Sequence, residues 1–301
     1  MQKIGFIGIG KIGLPICGNL IKNGYAVVGY RRSSLAEFEK LGGIPAQSAA
    51  DVGTQTDIVF TCLPDEAALD EVVRGPRGLL KSARCGQIVI ELGSHRLPIK
   101  RRYVAPLKER GVEFLDGEVS GTPGMVAQRK GVIYLGGPAD AVKTVKPVVA
   151  GFADLCMHLG PFGSATKVKL VNNLLVALHI AGTAQAMAIG RKIGVDPELL
   201  IKAVAQGSGG STQFAIRAPW IAERRFTPAQ GLVGALAHYL DGCKDLADEV
   251  GVATPILDCL IDVFARATPG IGERDVAAMV EFFEGGDPQS THGKIHKEQA
   301  T

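Results

Sequence analysis

The segment that decides the fold is KIGFIGIGKIG, residues 3–13. It opens as an apolar run typical of a buried strand and continues directly into Gly8-Ile9-Gly10-Lys11-Ile12-Gly13, a GxGxxG pattern. Between a strand and a helix, the first glycine turns tightly, the second lets the backbone approach a pyrophosphate, and the third lets the helix pack on the strand. The helix then directs its amino-terminal end at the phosphate charge, so the pattern predicts a dinucleotide site. We assign the cofactor contacts of this segment to Gly8, Gly10, Lys11, Ile12 and Gly13.

The rest of the first half alternates short apolar runs with amphipathic segments. The apolar runs predict strands at residues 3–9, 25–30, 57–62, 87–91, 113–116 and 131–136. Helical patterns lie between them at residues 12–23, 34–41, 66–73, 98–110 and 139–151. Because parallel strands need crossover connections, this alternation predicts a parallel, doubly wound sheet of the Rossmann type.

The pattern changes in the second half, where only helical segments are found from Thr166 onward. The first continues to about residue 193, and shorter helical patterns punctuated by Gly or Pro follow it. The predicted fold class is therefore α/β, with a Rossmann domain at residues 1–163 followed by an all-α domain at 164–285 that begins with a long interdomain helix. We expect the second domain to serve substrate binding and oligomerisation, and the polar tail at 286–301 to be frayed.

Composition excludes two classes of protein. Of the 301 residues, 46% are hydrophobic and 21% are charged, which excludes an intrinsically disordered chain. Lys and Arg number 33 against 30 Asp and Glu, and no dense basic run could neutralise a phosphate backbone. Nucleic acid is therefore not expected as a partner.

The cysteines and the apolar stretches indicate a cytoplasmic protein. The six cysteines contain no CxxC pair and no metal-type cluster, so we predict a reducing compartment and no metal site. The apolar opening at residues 4–9 is too short for a signal peptide. The longer apolar stretch at 168–189 carries Lys169, Asn172 and His179, so it predicts a buried helix and no membrane partner.

The end of the second predicted strand indicates which nicotinamide cofactor is bound. NAD enzymes place Asp or Glu there to bind the ribose 2′-hydroxyl, but this chain has Tyr30-Arg31-Arg32-Ser33-Ser34. Two guanidinium groups and a hydroxyl suit a 2′-phosphate, which arginine binds through several charge-assisted hydrogen bonds. Arg31, Arg32 and Ser33 therefore predict NADP, and NAD is the alternative if the arginines are only a solvated pair.

One lysine of the long helical segment is set apart by its position. Lys169 and Asn173 stand four residues apart and share a face, whereas Lys167 lies about 200° around the axis from Lys169. Spacing alone leaves an exposed charge as the ordinary interpretation of a helical lysine.

Five motifs stand in order along nearly the whole chain. They are Gly8-Ile9-Gly10-Lys11-Ile12-Gly13, Cys62-Leu63-Pro64, Phe114-Leu115-Asp116-Gly117-Glu118-Val119-Ser120-Gly121-Thr122, Lys169-Leu170-Val171-Asn172-Asn173 and Lys244-Asp245-Leu246. Together they resemble the signature of the β-hydroxyacid dehydrogenase family, the group of 3-hydroxyisobutyrate dehydrogenase, tartronate semialdehyde reductase and glyoxylate/succinic semialdehyde reductase. The resemblance implies reversible hydride transfer between the nicotinamide and a small 3-hydroxyacid or semialdehyde, by a homodimer or homotetramer.

The resemblance also implies a role for each matching residue. Lys169 is implied to be the general acid and base, and Asn173 to orient the substrate. The residues implied to receive the substrate carboxylate are Ser120, Gly121 and Thr122. The residues implied to contact the cofactor are Leu63, Pro64, Ser94 and Lys244. Of these, Ser94 is also implied to lie beside the substrate, and Lys244 to close over the cofactor.

Four positions depart from the family pattern and leave the substrate open. This chain has Gly93-Ser94 where the family commonly has Ser-Thr, and Glu118 where it has Pro. It has Thr122 where the family has Gly, and Gln185 where the family often has Glu. If Glu118 reaches the pocket, its carboxylate repels a substrate carboxylate and favours neutral or amine-bearing substrates. The alternative is that Glu118 points away and caps or solvates the loop.

Two other functions are compatible with the same architecture. One is an imine reductase, which usually replaces the lysine, so the retained Lys169 and Asn173 argue against it. The other is a non-catalytic NADP-binding scaffold. Hydride transfer to a small semialdehyde would separate an enzyme from a scaffold.

Overall fold

A single sheet forms the centre of the first of two compact units. The computed structural model describes residues 1–286, and the chain divides into the two units between Lys169 and Leu170. The strands are β1 Lys3–Ile7, β2 Ala26–Tyr30, β3 Ile44–Pro45, β4 Ile58–Thr61, β5 Ile88–Glu91, β6 Glu113–Ser120, β7 Val132–Gly136 and β8 Leu155–His158. Their order across the sheet is β3-β2-β1-β4-β5-β6-β7-β8. The chain changes direction across the sheet between β1 and β4, so these two strands flank its topological switch point.

Both faces of the sheet are buried. The helices of this unit are α1 Gly13–Lys22, α2 Ala36–Lys40, α3 Ala49–Gln55, α4 Glu66–Arg74, α5 Leu97–Arg101, α6 Val104–Lys108, α7 Pro123–Ala127 and α8 Ala139–Val149, with a 3₁₀ turn at Leu79–Lys81. Side chains alternate across each strand, so Phe6 packs with Phe60 in one core and the next residue, Ile7, packs with Val59 in the other. Burial on both faces explains the continuous apolar runs of these strands.

One pair of strands departs from the predicted parallel arrangement. β6 and β7 are antiparallel, with Asp116 opposite Gly136 and Ser120 opposite Val132, whereas every other neighbouring pair in the sheet is parallel. The connection between β6 and β7 contains only the short helix α7, which is too short for a parallel crossover. The prediction of a wholly parallel sheet is therefore wrong at this pair, while the Rossmann-type fold is confirmed.

The same pairing lengthens β6 beyond its predicted end at residue 116. The contact with β5 stops where Glu91 lies opposite Asp116, but β7 continues to pair with β6 as far as Ser120. The apolar run ends at Gly117 and Glu118, and for this reason the sequence pattern missed the extension. β6 therefore carries Glu118 and Ser120 on regular backbone.

Two strands were not predicted, and both lie at edges of the sheet. β3 has only two residues, and β8 leaves Leu155 and Met157 exposed at the opposite edge. Neither segment is a buried apolar run, which is the signal that the sequence analysis used.

The second unit is helical, as predicted. The long helix α9, Ser164–Lys192, begins in the first unit and continues into the second. It is followed by α10 Pro197–Gln206, α11 Thr212–Ala222, α12 Val233–Val250, α13 Pro255–Ile271 and α14 Met279–Glu281, with a 3₁₀ turn at Val276–Ala278 and a π-helical segment at Phe282–Gly286. The unit has its own core, in which Ala184, Leu240 and Phe264 are fully buried. The predicted polar tail at 286–301 lies, from residue 287 onward, outside the described residues.

Within the described part of the chain, α9 is the one helix long and apolar enough to cross a membrane by length and composition. Half of its most apolar stretch is buried inside the protein. This burial agrees with the interpretation of the stretch as a core helix.

Candidate active site

Four loops follow the carboxyl ends of neighbouring parallel strands and meet at one edge of the sheet. Ile7 of β1 lies opposite Thr61 of β4, Thr61 lies opposite Glu91 of β5, and Glu91 lies opposite Asp116 of β6. Ligands of open α/β sheets bind outside this edge, next to the switch point. The predicted site residues that follow these strands in the first unit are Gly8, Gly10, Lys11, Ile12, Gly13, Leu63, Pro64, Ser94, Ser120, Gly121 and Thr122.

The three glycines of the loop after β1 have different surroundings. Gly8 has a φ of 94°, and a Cβ at this position would overlap the carbonyl oxygen of Cys62. A Cβ at Gly13 would overlap the carbonyl oxygen of Gly8 and lie 2.8 Å from the ring of Phe6. At Gly10, in contrast, no atom lies within 4 Å of the Cβ position. The loop is thus closed against the protein at Gly8 and Gly13 and open at Gly10, which fits the approach of a pyrophosphate to the backbone.

The first turn of α1 is available to an anion. The helix begins at Gly13, its cap residue Ile12 makes no side-chain capping bond, and its first turn contains no acidic residue. Unpaired backbone N–H groups at a helix start attract phosphate. Lys11 is exposed beside this turn, so its ammonium adds positive charge there.

The loop after β2 is tied to the glycine loop by Arg31. The guanidinium of Arg31 donates from Nη1 to the carbonyl oxygen of Ile9 at 2.7 Å and from Nε to Ser33 Oγ at 2.7 Å. Arg32 and Ser33 are exposed. Arg31 therefore contacts the glycine loop after β1 and supports its backbone, and Ser33 contacts Arg31.

The loop after β4 packs against Gly8 of the loop after β1. The side chain of Leu63 is half-buried, and its Cδ2 lies 3.1 Å from the Cβ position of Gly8. Pro64 is exposed, and Asp65 caps α4 by accepting from the amide of Ala68 at 2.7 Å. Burial raises the pKa of the Cys62 thiol to about 12, with a further contribution from nearby carboxylates, so Cys62 is not a reactive thiolate.

A buried cluster of charged side chains lies at the carboxyl ends of β5 and β6. At its centre the ammonium of Lys100, on α5, is fully buried. Lys100 Nζ lies 3.0 Å from Asp116 Oδ1, 3.0 Å from Glu118 Oε1 and 3.4 Å from Glu91 Oε2. It also donates to the carbonyl oxygen of Gly117 at 3.0 Å. One cation therefore compensates three carboxyl groups that have no access to solvent.

The charge of this cluster is set by burial and by Lys100. Burial raises the pKa of Glu91 to about 8, although Lys100 and the amide of Gly93 act in the opposite direction. Burial likewise raises the pKa of Glu118, against the lowering effect of Lys100. Burial alone would lower the pKa of Lys100, but Glu118, Asp116 and Glu91 together raise it above its ordinary value. Lys100 therefore stays charged, and Glu91 carries a proton near neutral pH.

Ser94 and Gly93 connect the loop after β5 to this cluster. Ser94 Oγ donates to Glu118 Oε2 at 3.0 Å, and the amide of Gly93 donates to Glu91 Oε1 at 2.8 Å. A Cβ at Gly93 would lie 2.6 Å from His95 Nε2 and 2.7 Å from Glu91 Oε1. A larger residue at this position would therefore displace the buried side chain of Glu91 or His95, which gives a physical reason for the glycine.

Glu118 does not solvate the loop. Its side chain is 1% exposed and is held by Lys100 and Ser94. The burial contradicts the alternative in so far as it has Glu118 solvating the loop, and whether Glu118 reaches the substrate pocket stays a prediction. Its charge is compensated by Lys100, which weakens the repulsion expected of an isolated carboxylate.

The segment after β6 is the loop implied to receive the substrate carboxylate. Ser120 ends the strand, Gly121 and Thr122 follow it, and all three are partly exposed. Thr122 caps α7, because its Oγ1 accepts from the amide of Met125 at 3.3 Å. This cap explains why a threonine is favourable where the family pattern has glycine.

Lys169 lies against the same stretch of β6. Its Nζ donates to the carbonyl oxygen of Val119 at 3.0 Å, and the side chain is 9% exposed. Three residues earlier on α9, Thr166 donates to Asp116 from its amide at 2.9 Å and from Oγ1 at 2.7 Å. Burial lowers the pKa of Lys169, and Glu118 opposes that shift. Lys169 is thus a buried lysine fixed beside the charged cluster, not an exposed charge.

Two predicted site residues belong to the second unit. Asn173 is buried and accepts from Asn172 Nδ2 at 3.2 Å. Lys244 donates to Thr254 Oγ1 at 2.7 Å and pairs with Asp248 at 3.1 Å and with Asp258 at 3.3 Å. The roles implied for Asn173 and Lys244 stay predictions.

Three residues of the charged cluster, Glu91, Lys100 and Asp116, were not among the predicted site residues. Glu91 and Asp116 carried a usable signal, since each is an acid next to a buried apolar run at the carboxyl end of a predicted strand. Lys100 carried none, because a lysine in an amphipathic segment is ordinarily solvated. Through residue 286, no group of three or more His, Cys, Asp or Glu side chains is arranged to hold a metal ion.

Two family models match the chain. Residues 3–160 match the NAD binding domain of 6-phosphogluconate dehydrogenase, and residues 163–283 match the NAD-binding domain of NADP-dependent 3-hydroxyisobutyrate dehydrogenase. Among curated relatives, L-threonate dehydrogenase of Cupriavidus necator is 30% identical over 94% of this chain and 97% of its own length.

Solved structures share the fold. The 3-hydroxyisobutyrate dehydrogenase of Salmonella typhimurium superposes with a TM-score of 0.84 at 22% identity, over 94% of this chain and 100% of that one. An imine reductase of Myxococcus stipitatus in complex with NADP+ superposes with a TM-score of 0.64 at 21% identity, over 93% of this chain and 99% of that one.

Proposed function

Since the chain belongs to the β-hydroxyacid dehydrogenase family, we propose that it transfers hydride reversibly between NADP(H) and a small 3-hydroxyacid or semialdehyde, with Lys169 as general acid and base. Membership makes it an NAD(P)-dependent enzyme acting on a CH–OH group. The observation that carries the proposal is the buried ammonium of Lys169, fixed on Val119 at the sheet edge that also bears the glycine loop.

The residues of the chain account for the proton that accompanies the reaction. When bound, the nicotinamide supplies the hydride in reduction and receives it in oxidation. Lys169 donates a proton to the carbonyl oxygen of the substrate in reduction and takes it back from the alcohol in oxidation. Its burial strengthens the electrostatic stabilisation of the developing alkoxide, because water is excluded from the group.

NADP is the proposed cofactor because of the basic loop after β2. Arg31 and Ser33 are joined to each other and to the glycine loop, and Arg32 is exposed next to them. These donors suit a 2′-phosphate better than a 2′-hydroxyl. The chain has no acidic residue at the end of β2 to bind a ribose hydroxyl.

The substrate is proposed to be small and to carry a carboxylate. Ser120, Gly121 and Thr122 are the residues available to receive that group, at the end of β6 where Lys169 also binds. Glu118 is already paired with Lys100, so it does not exclude an anionic substrate.

At least a dimer is proposed as the working assembly. Val168, Val171, Leu175 and Leu178 are exposed on α9, and their spacing of three and four residues places them on one face of the helix. An apolar stripe of this kind is buried when a second helix packs on it, and a second copy of the chain supplies that helix. Sedimentation at micromolar concentration tests the proposal, and a monomer would contradict it.

The proposed function is tested with a panel of short hydroxyacids, semialdehydes and cyclic imines, followed by NADPH absorbance. We expect turnover with at least one hydroxyacid or semialdehyde and none with the imines. Turnover with imines alone would favour an imine reductase. Tight NADPH binding without single-turnover hydride transfer to any member of the panel would favour a scaffold.

A further inference from the structure

The two carboxylate oxygens of Glu118 accept hydrogen bonds from two different parts of the site. Oε1 accepts from the buried ammonium of Lys100 at 3.0 Å, and Oε2 accepts from Ser94 Oγ at 3.0 Å. The carboxylate is 1% exposed, so these two contacts fix it within the protein. Glu118 thereby links the centre of the charged cluster to a residue at the sheet edge.

The start of α9 packs on the same carboxylate. Thr166 Oγ1 lies 3.5 Å from Glu118 Oε1, and Lys169, three residues further along the same helical face, donates to the carbonyl oxygen of the residue after Glu118. Within one turn of α9, Thr166 therefore contacts Glu118 and Lys169 contacts the next residue of β6. Burial disfavours the charged form of Lys169, and Glu118 is the group that opposes this effect.

A buried lysine that is neutral cannot act as the acid in reduction. We propose that Glu118 is a positioning residue, fixed by Lys100, whose carboxylate keeps the Lys169 ammonium charged inside the buried site. The inference rests on the proposed function of Lys169.

The other acidic groups of the charged cluster contact different partners. Asp116 accepts from Lys100 and from both donors of Thr166, and Glu91, on β5, lies 3.4 Å from the ammonium of Lys100. His95 contacts Glu91, with Nε2 at 3.7 Å from Oε1. Lys100 has a separate task, because without its charge Glu118 would take up a proton in the buried site.

The direct test measures the titration of Lys169 by NMR without cofactor. Protein labelled with ¹³Cε-lysine is titrated, and Lys169→Met identifies the resonance. In Glu118→Gln we expect the midpoint of Lys169 to fall by about one pH unit or more, a tenfold change in its protonation equilibrium. Glu118→Asp keeps the charge and should restore most of the shift.

Two variants are matched controls for this titration. Glu91→Gln removes another buried carboxyl from Lys100, and Ser94→Ala removes the hydrogen bond to Oε2 without changing any charge. In both we expect the midpoint of Lys169 to stay within a few tenths of a unit. An unchanged midpoint in folded Glu118→Gln would overturn the proposal.

If Glu118→Gln does not fold, the same interaction is measured from the other partner, because the coupling between two charges is reciprocal. The carboxyl titration of Glu118 is followed in wild type and in Lys169→Met, and loss of the ammonium should raise the Glu118 midpoint. An unchanged Glu118 midpoint overturns the proposal equally.

The pH profile of the reaction separates this inference from the proposed function. The limb of kcat/KM for reduction that reports loss of the Lys169 proton should move to lower pH in Glu118→Gln, whereas a structural defect lowers kcat at every pH without moving the limb. If Lys169→Met retains turnover, the proposed function fails even where the NMR shift is found. Lys169→Met could instead abolish turnover while Glu118→Gln moves neither the limb of the pH profile nor the titration midpoint of Lys169. In that case only the positioning role of Glu118 fails.

Discussion

The glycine loop after β1 and the charged cluster beneath β6 lie at the same edge of one sheet, yet they are built in opposite ways. The loop offers its backbone to the cofactor, and its important residues are glycines. At Gly10, for example, the space around the Cβ position is open. The cluster is made of long side chains around Lys100, with every charge taken out of water. Because the proposed cofactor binding and the proposed proton transfer rest on these two different structures, variants should affect them separately.

The largest effect is expected from Lys169→Met. Losing a general acid together with its electrostatic contribution should lower kcat by about 10²–10⁴. NADPH affinity should be retained, because the phosphates are proposed to bind at the loop after β1 and not at the cluster. Steady-state kinetics and a fluorescence titration with NADPH measure the two quantities.

Lys167→Met is the matched control, since it removes a half-buried lysine two positions away on another face of α9. It should change kcat little. If Lys169→Met retained near-normal kcat with NADPH bound, proton transfer would have to be assigned elsewhere.

A pair of glycine variants separates folding from binding within the loop. Gly8→Ala forces a side chain into a position with φ of 94° and against the Cys62 carbonyl, so it should lower stability by roughly 1–3 kcal/mol. Gly10→Ala meets no protein atom and should leave the Tm unchanged, while the Kd for NADPH rises about tenfold or more, about 1.4 kcal/mol. A Gly10→Ala variant with unchanged NADPH affinity would show that the pyrophosphate does not approach the backbone there.

The two arginines should differ in a way that their sequence position does not show. Arg32→Ala should raise the KM for NADPH about tenfold and leave that for NADH nearly untouched, because only a 2′-phosphate contact is lost. Arg31→Ala should weaken both cofactors, since Arg31 also holds the carbonyl of Ile9 in the glycine loop. Equal effects of Arg32→Ala on both cofactors would refute the NADP assignment.

A further prediction concerns the pH dependence of stability set by Glu91. Its pKa is about 8 in the folded protein against an ordinary value of 4.5, so the folded state binds a proton that the unfolded state releases. The stability associated with that proton is fully present below about pH 4.5 and is lost as pH rises through about pH 8. Urea unfolding of wild type and Glu91→Gln across this range should therefore show wild type losing stability relative to the variant as pH rises, and parallel curves would contradict the assignment.

The predictable features are those encoded within a few neighbouring residues. The glycine spacing at 8–13, the alternation of apolar runs, and the change to helical pattern at Thr166 predicted the Rossmann-type sheet and the helical second unit. The antiparallel β7 and the extension of β6 to Ser120 were missed, because pairing between strands gives little local signal once the apolar run ends at Gly117.

By itself the sequence determined the backbone of the cofactor loop and the class of enzyme, because turn geometry and ordered motifs depend on residue type at fixed local spacing. Only the tertiary structure decided which charged and polar groups come into contact: Lys100 donates to Asp116 from 16 residues away in sequence, and Thr166 donates to Asp116 from 50 residues away. The protonation of Glu91, Glu118 and Lys169 depends on these contacts, because burial and neighbouring charges act through space and not along the chain.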